Sequence, residues 1–408
     1  MTPRTERRRN TEMIVILGAL TAFTPLSVDM YLPALPALET EFHTTTAAAQ
    51  RTLTAFFAGF ALGQLFYGPL SDRYGRKLPL YVSLSLFAIA SAACALAPDV
   101  ATLSGARFMQ AFGACAGAVI ARAVVRDAYP PERIAEIYSL LILVMGVAPM
   151  LAPLMGGALM TLWSWHAIFW ALALLGALSL LLVRFRLRET LPRERRSALS
   201  LRGVLRGYGR LLAAPTFLLP ALIGGCSMAG MFAYIAGSPF LFIERFGFSE
   251  TQFAWFFGAN AMGLIAVSQI NGRIAGANPA RPMMAGIGIQ VLASAGLLLA
   301  AVNGWGPLGL IPPLFVFVAC LGLVFPNATA LAMMSHGKDA GMASALMGTV
   351  QASLAALSTF LIGPLESSFG GAWPMVGVIV AWNGLALLLA LGRSQSRRSP
   401  APAKAAAG

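Results

Sequence analysis

Asp29 is the residue best suited to chemistry in this sequence, because it lies inside a long apolar stretch. A carboxylate in such a setting costs about 3 kcal/mol or more, so it usually has a function and a partner. Only one basic residue, Arg107, shares that setting. Counted inward from Glu39 and Asp99, both residues lie about 12 to 15 Å from the end of their apolar stretch. We therefore expect Asp29 and Arg107 to act together.

Two opposed effects act on the proton affinity of a buried carboxylate beside an arginine. Loss of water favours its protonated form, whereas the positive charge favours its ionised form. Small changes in hydration or distance would then load or release a proton. Alternatively, Asp29 only caps or snorkels near the helix-disrupting Pro33, and Arg107 only binds backbone carbonyl groups.

The elements that must position this pair are membrane-spanning helices. Of the 408 residues, 58% are hydrophobic and 11% are charged, and the mean hydropathy is +0.73, whereas soluble domains carry roughly 25% charged residues. Twelve apolar segments long enough to cross a bilayer fit between the charges. The sequence therefore predicts an all-α membrane protein with twelve transmembrane helices in two sets of six, and it argues against a soluble enzyme.

The distribution of positive charge predicts the topology. The net charge is +13, and of all Lys and Arg residues only Arg51, Arg107 and Arg245 fall outside the predicted cytoplasmic positions. This is the pattern of the positive-inside rule. We expect both termini in the cytoplasm, and the basic pI then requires no nucleic acid.

Charge also divides the chain into five parts. Two are six-helix bundles, and the others are tails or a basic linker: a cytoplasmic tail (1–12), an N-terminal bundle (13–186), a linker (187–213), a C-terminal bundle (214–392) and a disordered tail (393–408). The stretch 184–210 carries nine arginines. Its repeat of Arg202, Arg206 and Arg210 is consistent with an interfacial helix on anionic lipid or with a solvated linker.

The loop after the second predicted span reads GPLSDRYGRK over residues 68–77. It resembles the signature that the major facilitator superfamily carries between helices two and three. The resemblance implies a cytoplasmic gate in which Arg73 and Arg76 bridge to acids. We expect Asp127 to be one such acid and Asp72 to dock near Gly341 when the gate is shut.

Two further segments resemble motifs of the same superfamily. RFMQAFG, at 107–113, is similar to its helix-four motif, with Ala111 in place of the usual glycine. The fifth span is similar to its exporter motif through Gly146, Pro153, Gly156 and Gly157, with Ala-Pro in place of the usual Gly-Pro. This second match favours export over uptake, although small residues and prolines also serve helix packing alone.

A narrower resemblance comes from TPLSVDMYLPALP (24–36), Arg126-Asp127 and SWHAIF (164–169). These segments resemble the Bcr/CflA branch of drug:proton antiporters. That implies a bacterial inner-membrane transporter that exports phenicol-, bicyclomycin- or sulfonamide-like antibacterials in exchange for protons. Export of a metabolite such as an amino acid derivative, and uncoupled facilitation, remain alternatives.

The family fold implies a central cavity lined by spans one, four, seven and ten. The residues expected there share helical faces with the pair or lie on the seventh span: Tyr31, Gln110, Ala114, Met145, Met228, Met231, Phe232, Tyr234 and Ile235. Methionine suits a site that accepts several shapes, but a methionine stripe is also common in a core. We expect no cofactor, no metal and no enzymatic activity, because the sequence lacks a nucleophile or metal-ligand cluster. We also expect a monomer.

Overall fold

The computed structural model describes residues 3–129, 131–196, 201–274, 278–334, 336 and 340–396. Within these residues every regular element is helical. Fourteen α-helices follow one another along the chain: α1 (Pro3–Asp29), α2 (Leu35–Glu41), α3 (Thr46–Tyr74), α4 (Lys77–Ala95), α5 (Val100–Ala128), α6 (Pro131–Leu162), α7 (Trp165–Phe185), α8 (Leu201–Leu212), α9 (Pro215–Pro239), α10 (Glu250–Ile274), α11 (Ala280–Val302), α12 (Gly306–Met333), α13 (Ala340–Phe369) and α14 (Trp373–Ser396).

The first span is interrupted at Asp29. α1 ends there, a 3₁₀ turn covers Leu32–Ala34, and α2 completes the span. Pro33 explains the break, because its ring removes an N–H donor and disfavours helix in the residue before it. The carboxyl group of Asp29 therefore lies at a helix end inside the span.

Eleven helical segments in the described chain are long and apolar enough to cross a membrane. α6 supplies the twelfth, and its apolar part in the described chain is Val147–Leu162. The predicted fold of twelve transmembrane helices is confirmed. The chain is a multi-pass membrane protein.

Helices extend into both of the predicted terminal tails. α1 begins at Pro3, so the chain is already helical through most of the stretch expected to form a cytoplasmic tail. At the other end, α14 continues to Ser396, and the remainder of the expected tail lies outside the described residues.

Helices α1 to α7 form one bundle, the N-bundle, and helices α9 to α14 form a second, the C-bundle. The two bundles meet where α3 packs against α13 and where α6 packs against α10. The first seam is held by Thr54 and Thr359, whose hydroxyl oxygens lie 3.0 Å apart, and by Thr349, which donates to the carbonyl of Ala61 at 3.3 Å. We call the end of the molecule that carries α8 the linker end and the other the far end.

Candidate functional site

Arg107 is fully buried in the N-bundle. Its Nη1 donates to the carbonyl oxygen of Ser27 at 2.9 Å and to Oε1 of Gln110 at 2.6 Å. Gln110, one turn further along α5, in turn donates to the hydroxyl of Ser91 at 2.8 Å. The guanidinium therefore links α5 to the last turn of α1, directly before Asp29.

Three aromatic rings surround the same guanidinium. Its carbon lies 4.4 Å from the ring centre of Phe56, 4.5 Å from Tyr31 and 5.6 Å from Phe169. Tyr31 is held by its hydroxyl, which lies 2.7 Å from that of Thr52. Cation–π attraction offsets part of the cost of burying the charge. Nε and Nη2 of Arg107 have no hydrogen-bond partner in the described chain.

Asp29 is 5% exposed. Among the described residues it forms no hydrogen bond or ion pair with Arg107, so the expected direct pair is absent in this conformation. The 3₁₀ turn that follows it, Leu32–Ala34, packs against α9 of the C-bundle, the helix that carries Tyr234. The hydroxyl of Tyr234 accepts from Nδ2 of Asn260 at 3.1 Å, which leaves its proton free to be donated elsewhere.

The physical reason for the separation is the break in the first span. Arg107 binds a backbone carbonyl that α1 frees near its end, and helix ends leave such carbonyls unpaired. Asp29 lies two residues later, directly before the turn that packs against α9 of the other bundle. Carbonyl binding by Arg107 was one of the alternatives left open by the sequence.

The expected face of α9 lies at the divide between the bundles. The ring of Phe232 is 4.3 Å from that of Phe57 on α3. Met228, one turn earlier, and Met231 both keep some exposed surface, whereas Tyr234 and Ile235 are buried. Residues four apart share a helix face, so Met228 and Phe232 face the N-bundle together.

Two predicted cavity residues, Ala114 and Met145, and one residue of the predicted exporter motif, Gly146, lie elsewhere. Ala114 is 1% exposed and belongs to the packed core of the N-bundle. Met145 and Gly146 lie in α6, but their side-chain surroundings are outside the described residues.

Arg76 organises the loop at the linker end of the N-bundle. Its Nε donates to Asp127 at 2.7 Å, and its Nη1 donates to Asp72 at 2.6 Å and to Ser71 at 3.0 Å. Although burial disfavours its charge, the bonds to Asp127 and Asp72 outweigh that effect and raise the pKa of Arg76. The contact between this loop and Asp127 was predicted from the sequence.

The docking of Asp72 near Gly341, expected when the gate is shut, stays a prediction, because residues 337–339 before α13 lie outside the described residues. Asp72 bonds Arg76 one turn along the chain, and Gly341 is an exposed residue beside which an added Cβ would have no neighbour within 4 Å. Arg73 is exposed, and its guanidinium carbon lies 5.4 Å from the ring of Tyr74. Among the described residues, the contacts of Asp72 and Arg73 are thus with neighbours in the same loop.

Glu189, which the sequence analysis missed, completes this cluster. It accepts from the backbone N–H groups of Arg76 at 2.9 Å and Lys77 at 3.2 Å, where α4 begins. Partial burial would raise its pKa, but these donors, with that of Leu191 and the charge of Arg196, hold the pKa of Glu189 below its usual value. Its place after α7 gave no local signal, since a cap is normally sought beside the helix it caps.

Removing the charge of Asp127 should destabilise the protein. Arg76 is 4% exposed and donates through Nε and Nη2 to the two carboxylate oxygens of Asp127, so Asp127→Asn should cost about 1 to 3 kcal/mol. The measurement is the thermal unfolding midpoint of the purified protein. Asp72→Asn is the matched control, because Asp72 binds the same arginine but its side chain is 48% exposed, against 19% for Asp127. An equal or larger loss in the control would contradict this ranking.

The glycine motif of α6 brings that helix against the end of α1. A Cβ on Gly156 would collide with the carbonyl oxygen of Met30, the residue after Asp29. Gly157 faces α10, where a Cβ would lie 3.6 Å from that of Glu250. Pro153 is buried, and α6 continues through it. The motif therefore sets the position of Asp29 and also forms part of the contact between the bundles.

No group of three or more His, Cys, Asp or Glu residues that would suit a metal ion occurs in the described part of the chain. The four cysteines, Cys94, Cys115, Cys226 and Cys320, are buried and unpaired. The site contains the carboxyl group of Asp29 and the caged guanidinium of Arg107, and the C-bundle adds the phenol of Tyr234 with the amide of Asn260 bonded to it.

Comparison with known proteins identifies relatives of this arrangement. Residues 17–359 match the model of the Major Facilitator Superfamily. The chain is 36% identical to an uncharacterised MFS-type transporter, YdgK, of Bacillus subtilis, over 94% of this chain and 95% of that one. It is 30% identical to a bicyclomycin resistance protein homologue of Haemophilus influenzae, over 86% and 89%.

Solved structures share the fold at low sequence identity. One is the crystal structure of a bacterial homologue of the human lysosomal transporter Spinster, in an inward-facing and occupied conformation. It matches with a TM-score of 0.72 and 17% identity, over 96% of this chain and 99% of that one. This likeness supports the twelve-helix architecture and nothing finer.

Proposed function

Because the chain belongs to the major facilitator superfamily, a family of membrane transporters, we propose that it is a proton-coupled efflux transporter. It exports small, mostly apolar antibacterials of the phenicol, bicyclomycin or sulfonamide type by alternating access. It lies in a bacterial inner membrane with both termini and the linker end in the cytoplasm.

The observation that carries the proposal is the placement of Asp29. It is a buried carboxyl group at a helix break, and the 3₁₀ turn that follows it packs against α9 of the C-bundle. Transporters of paired bundles bind substrate near the midplane between halves that rock against each other. A proton taken up there changes the charge at the point where the halves separate. The resistance protein homologue of Haemophilus influenzae supports the choice of a drug as substrate.

In the proposed cycle Asp29 alternates between proton and drug. When the central site opens outward, Asp29 binds a proton and the drug leaves. When the site opens to the cytoplasm, Asp29 releases the proton and a new drug molecule enters beside Met228, Met231 and Phe232. Arg107 stays in its cage and keeps the end of α1 in place, so it positions Asp29 through the carbonyl of Ser27.

Inward proton flow supplies enough free energy for this exchange. One pH unit is worth about 1.4 kcal/mol per proton, and 100 mV adds about 2.3 kcal/mol per charge. Together they support a drug gradient of several hundredfold for one proton per drug.

Transport in proteoliposomes tests the proposal. Purified protein is reconstituted, a pH gradient is imposed, and uptake of a phenicol, bicyclomycin and a sulfonamide is followed beside a set of amino acid derivatives. We expect drug accumulation that requires the gradient. Accumulation of the metabolites alone would make the protein a metabolite exporter, and drug equilibration without accumulation would make it an uncoupled facilitator.

Replacing Arg107 with lysine should lower transport by about tenfold or more. The planar guanidinium donates to Ser27 and Gln110 while it lies among three rings, and an ammonium group cannot do both. One lost bond to a buried charged group is worth about 1.5 to 3 kcal/mol. The control is Arg184→Lys, since Arg184 is exposed and its guanidinium carbon lies 5.9 Å from the ring of Phe185. Equal initial rates in the two variants would contradict the role of the cage.

A further inference from the structure

The linker helix α8 has one face packed into the protein. Val204, Tyr208 and Leu211 are each less than a tenth exposed. Gly207, on the same face, approaches α13 so closely that a Cβ there would lie 2.6 Å from the sulfur of Met342. α8 is therefore a docked element of the fold.

The docking site of α8 joins both bundles at the linker end. Its apolar face packs with residues of α9, α12 and α13, among them Phe217, Ala332 and Leu346. On the N-bundle side, the hydroxyl of Tyr208 donates to the carbonyl of Leu65 on α3 at 3.2 Å. α8 thus spans the place where α3 and α13 meet.

The position of α8 relative to the membrane follows from the helix after it. α8 ends at Leu212, and the membrane span of α9 begins at Pro215. Only Ala213 and Ala214 lie between them, so the end of α8 is at most about 10 Å from the start of α9, a distance comparable to the thickness of a headgroup layer. The C-terminal end of α8 therefore lies at the membrane surface.

The other face of α8 is exposed and basic. Arg202, Arg206 and Arg210 repeat every four residues and are all exposed, and α8 contains no acidic residue. Leu205 and Leu212 are also exposed, at 59% and 44%. At 100° per residue the two leucines lie about 20° apart, between the packed face and the arginines.

We propose that this exposed face of α8 binds anionic phospholipid headgroups of the leaflet at the linker end. The arginines contact the phosphates, and Leu205 and Leu212 enter the boundary between headgroups and acyl chains. Leucines beside a row of arginines are the composition of a helix that lies in an anionic interface. The inference concerns the membrane around the protein and does not depend on the transported substrate.

Lipid binding to the full chain tests whether the three arginines of α8 bind anionic headgroups. The protein in a neutral detergent is titrated with phosphatidylglycerol or with phosphatidylcholine, and bound lipid is counted by native mass spectrometry. Each arginine near an anionic surface contributes about fivefold in affinity, so Arg202→Gln/Arg206→Gln/Arg210→Gln should bind phosphatidylglycerol about a hundredfold more weakly. Binding of phosphatidylcholine should not change.

The matched control removes the same charge elsewhere at the linker end. Arg193, Arg273 and Arg281 are exposed and lie outside α8, so their triple change to glutamine should weaken phosphatidylglycerol binding by less than a tenth as much. Equal losses in the two triple variants would reduce the effect to net charge and overturn the proposal. Unchanged affinity in the α8 variant would also overturn it.

Spin labels test the placement of α8 without removing any arginine. Nitroxides are attached to Leu205→Cys and to Gly209→Cys, and the four native cysteines are buried. In bilayers with phosphatidylglycerol, oxygen should accelerate the spin relaxation of the label at 205. A water-soluble nickel reagent should accelerate that of the label at 209. Equal access of the nickel reagent to both labels would place the leucines in water and reject the proposal, even if the triple variants failed to fold.

Discussion

Asp29→Asn should abolish drug-driven proton release while leaving drug exchange down a gradient measurable. Asparagine has nearly the shape of the protonated acid but cannot lose a proton, so the variant is locked in one charge state. Coupling then disappears, and with it any accumulation against a gradient. We expect proton release to fall below about a tenth of the native value, equivalent to more than about 1.4 kcal/mol. A pH-sensitive dye inside proteoliposomes, read on addition of drug, gives the measurement.

The control for this variant is Asp99→Asn. Asp99 caps α5 at the far end, where its carboxylate accepts from the N–H groups of Ala101 and Thr102. Asparagine is an equally good N-cap, so the charge change is the same and the structural cost is small. Its proton release should stay near the native value. Drug-driven proton release that persists in Asp29→Asn would remove Asp29 from the coupling mechanism.

Gly156→Ala should damage both stability and transport, although it adds one methyl group. The new Cβ would collide with the carbonyl oxygen of Met30, a backbone atom that moves only if α6 and the end of α1 separate. Overpacking of this kind costs about 1 to 3 kcal/mol. Because Met30 follows Asp29, the same displacement moves the carboxyl group, and transport should fall by at least about tenfold. Unfolding midpoints and initial transport rates are the measurements.

Gly105→Ala is the control for this prediction. Gly105 lies on an exposed part of α5, where an added Cβ has no neighbour within 4 Å. Alanine there should raise stability slightly, because it favours helix by about 1 kcal/mol over glycine. The same substitution of glycine by alanine is therefore expected to lower stability at position 156 and to raise it at position 105. A stabilised, fully active Gly156→Ala variant would show that α6 does not need this close approach.

The sequence was sufficient for the architecture and for the membership of the family. Twelve apolar segments bounded by charges require helices, because a bilayer offers no partner for unpaired backbone groups. The resemblance at 68–77 implied both the family and an acid partner for Arg76. Asp29 and Arg107 were recognisable from composition alone, since charge inside an apolar segment is rare.

Only the tertiary structure decided what these residues face. Asp29 and Arg107 were expected to pair because they lie at equal depth along two helices. Equal depth, however, says nothing about how each helix is rotated around its axis. The structure instead places Arg107 in a cage of aromatic rings, with the carbonyl of Ser27 as acceptor, and packs the turn after Asp29 against α9. Residues distant in sequence, such as Glu189 capping α4 or Leu65 accepting from Tyr208, are joined by packing of whole helices. The local sequence pattern indicates which segments are helical and which residues are buried. Contacts between helices depend on how the faces of all the helices pack together.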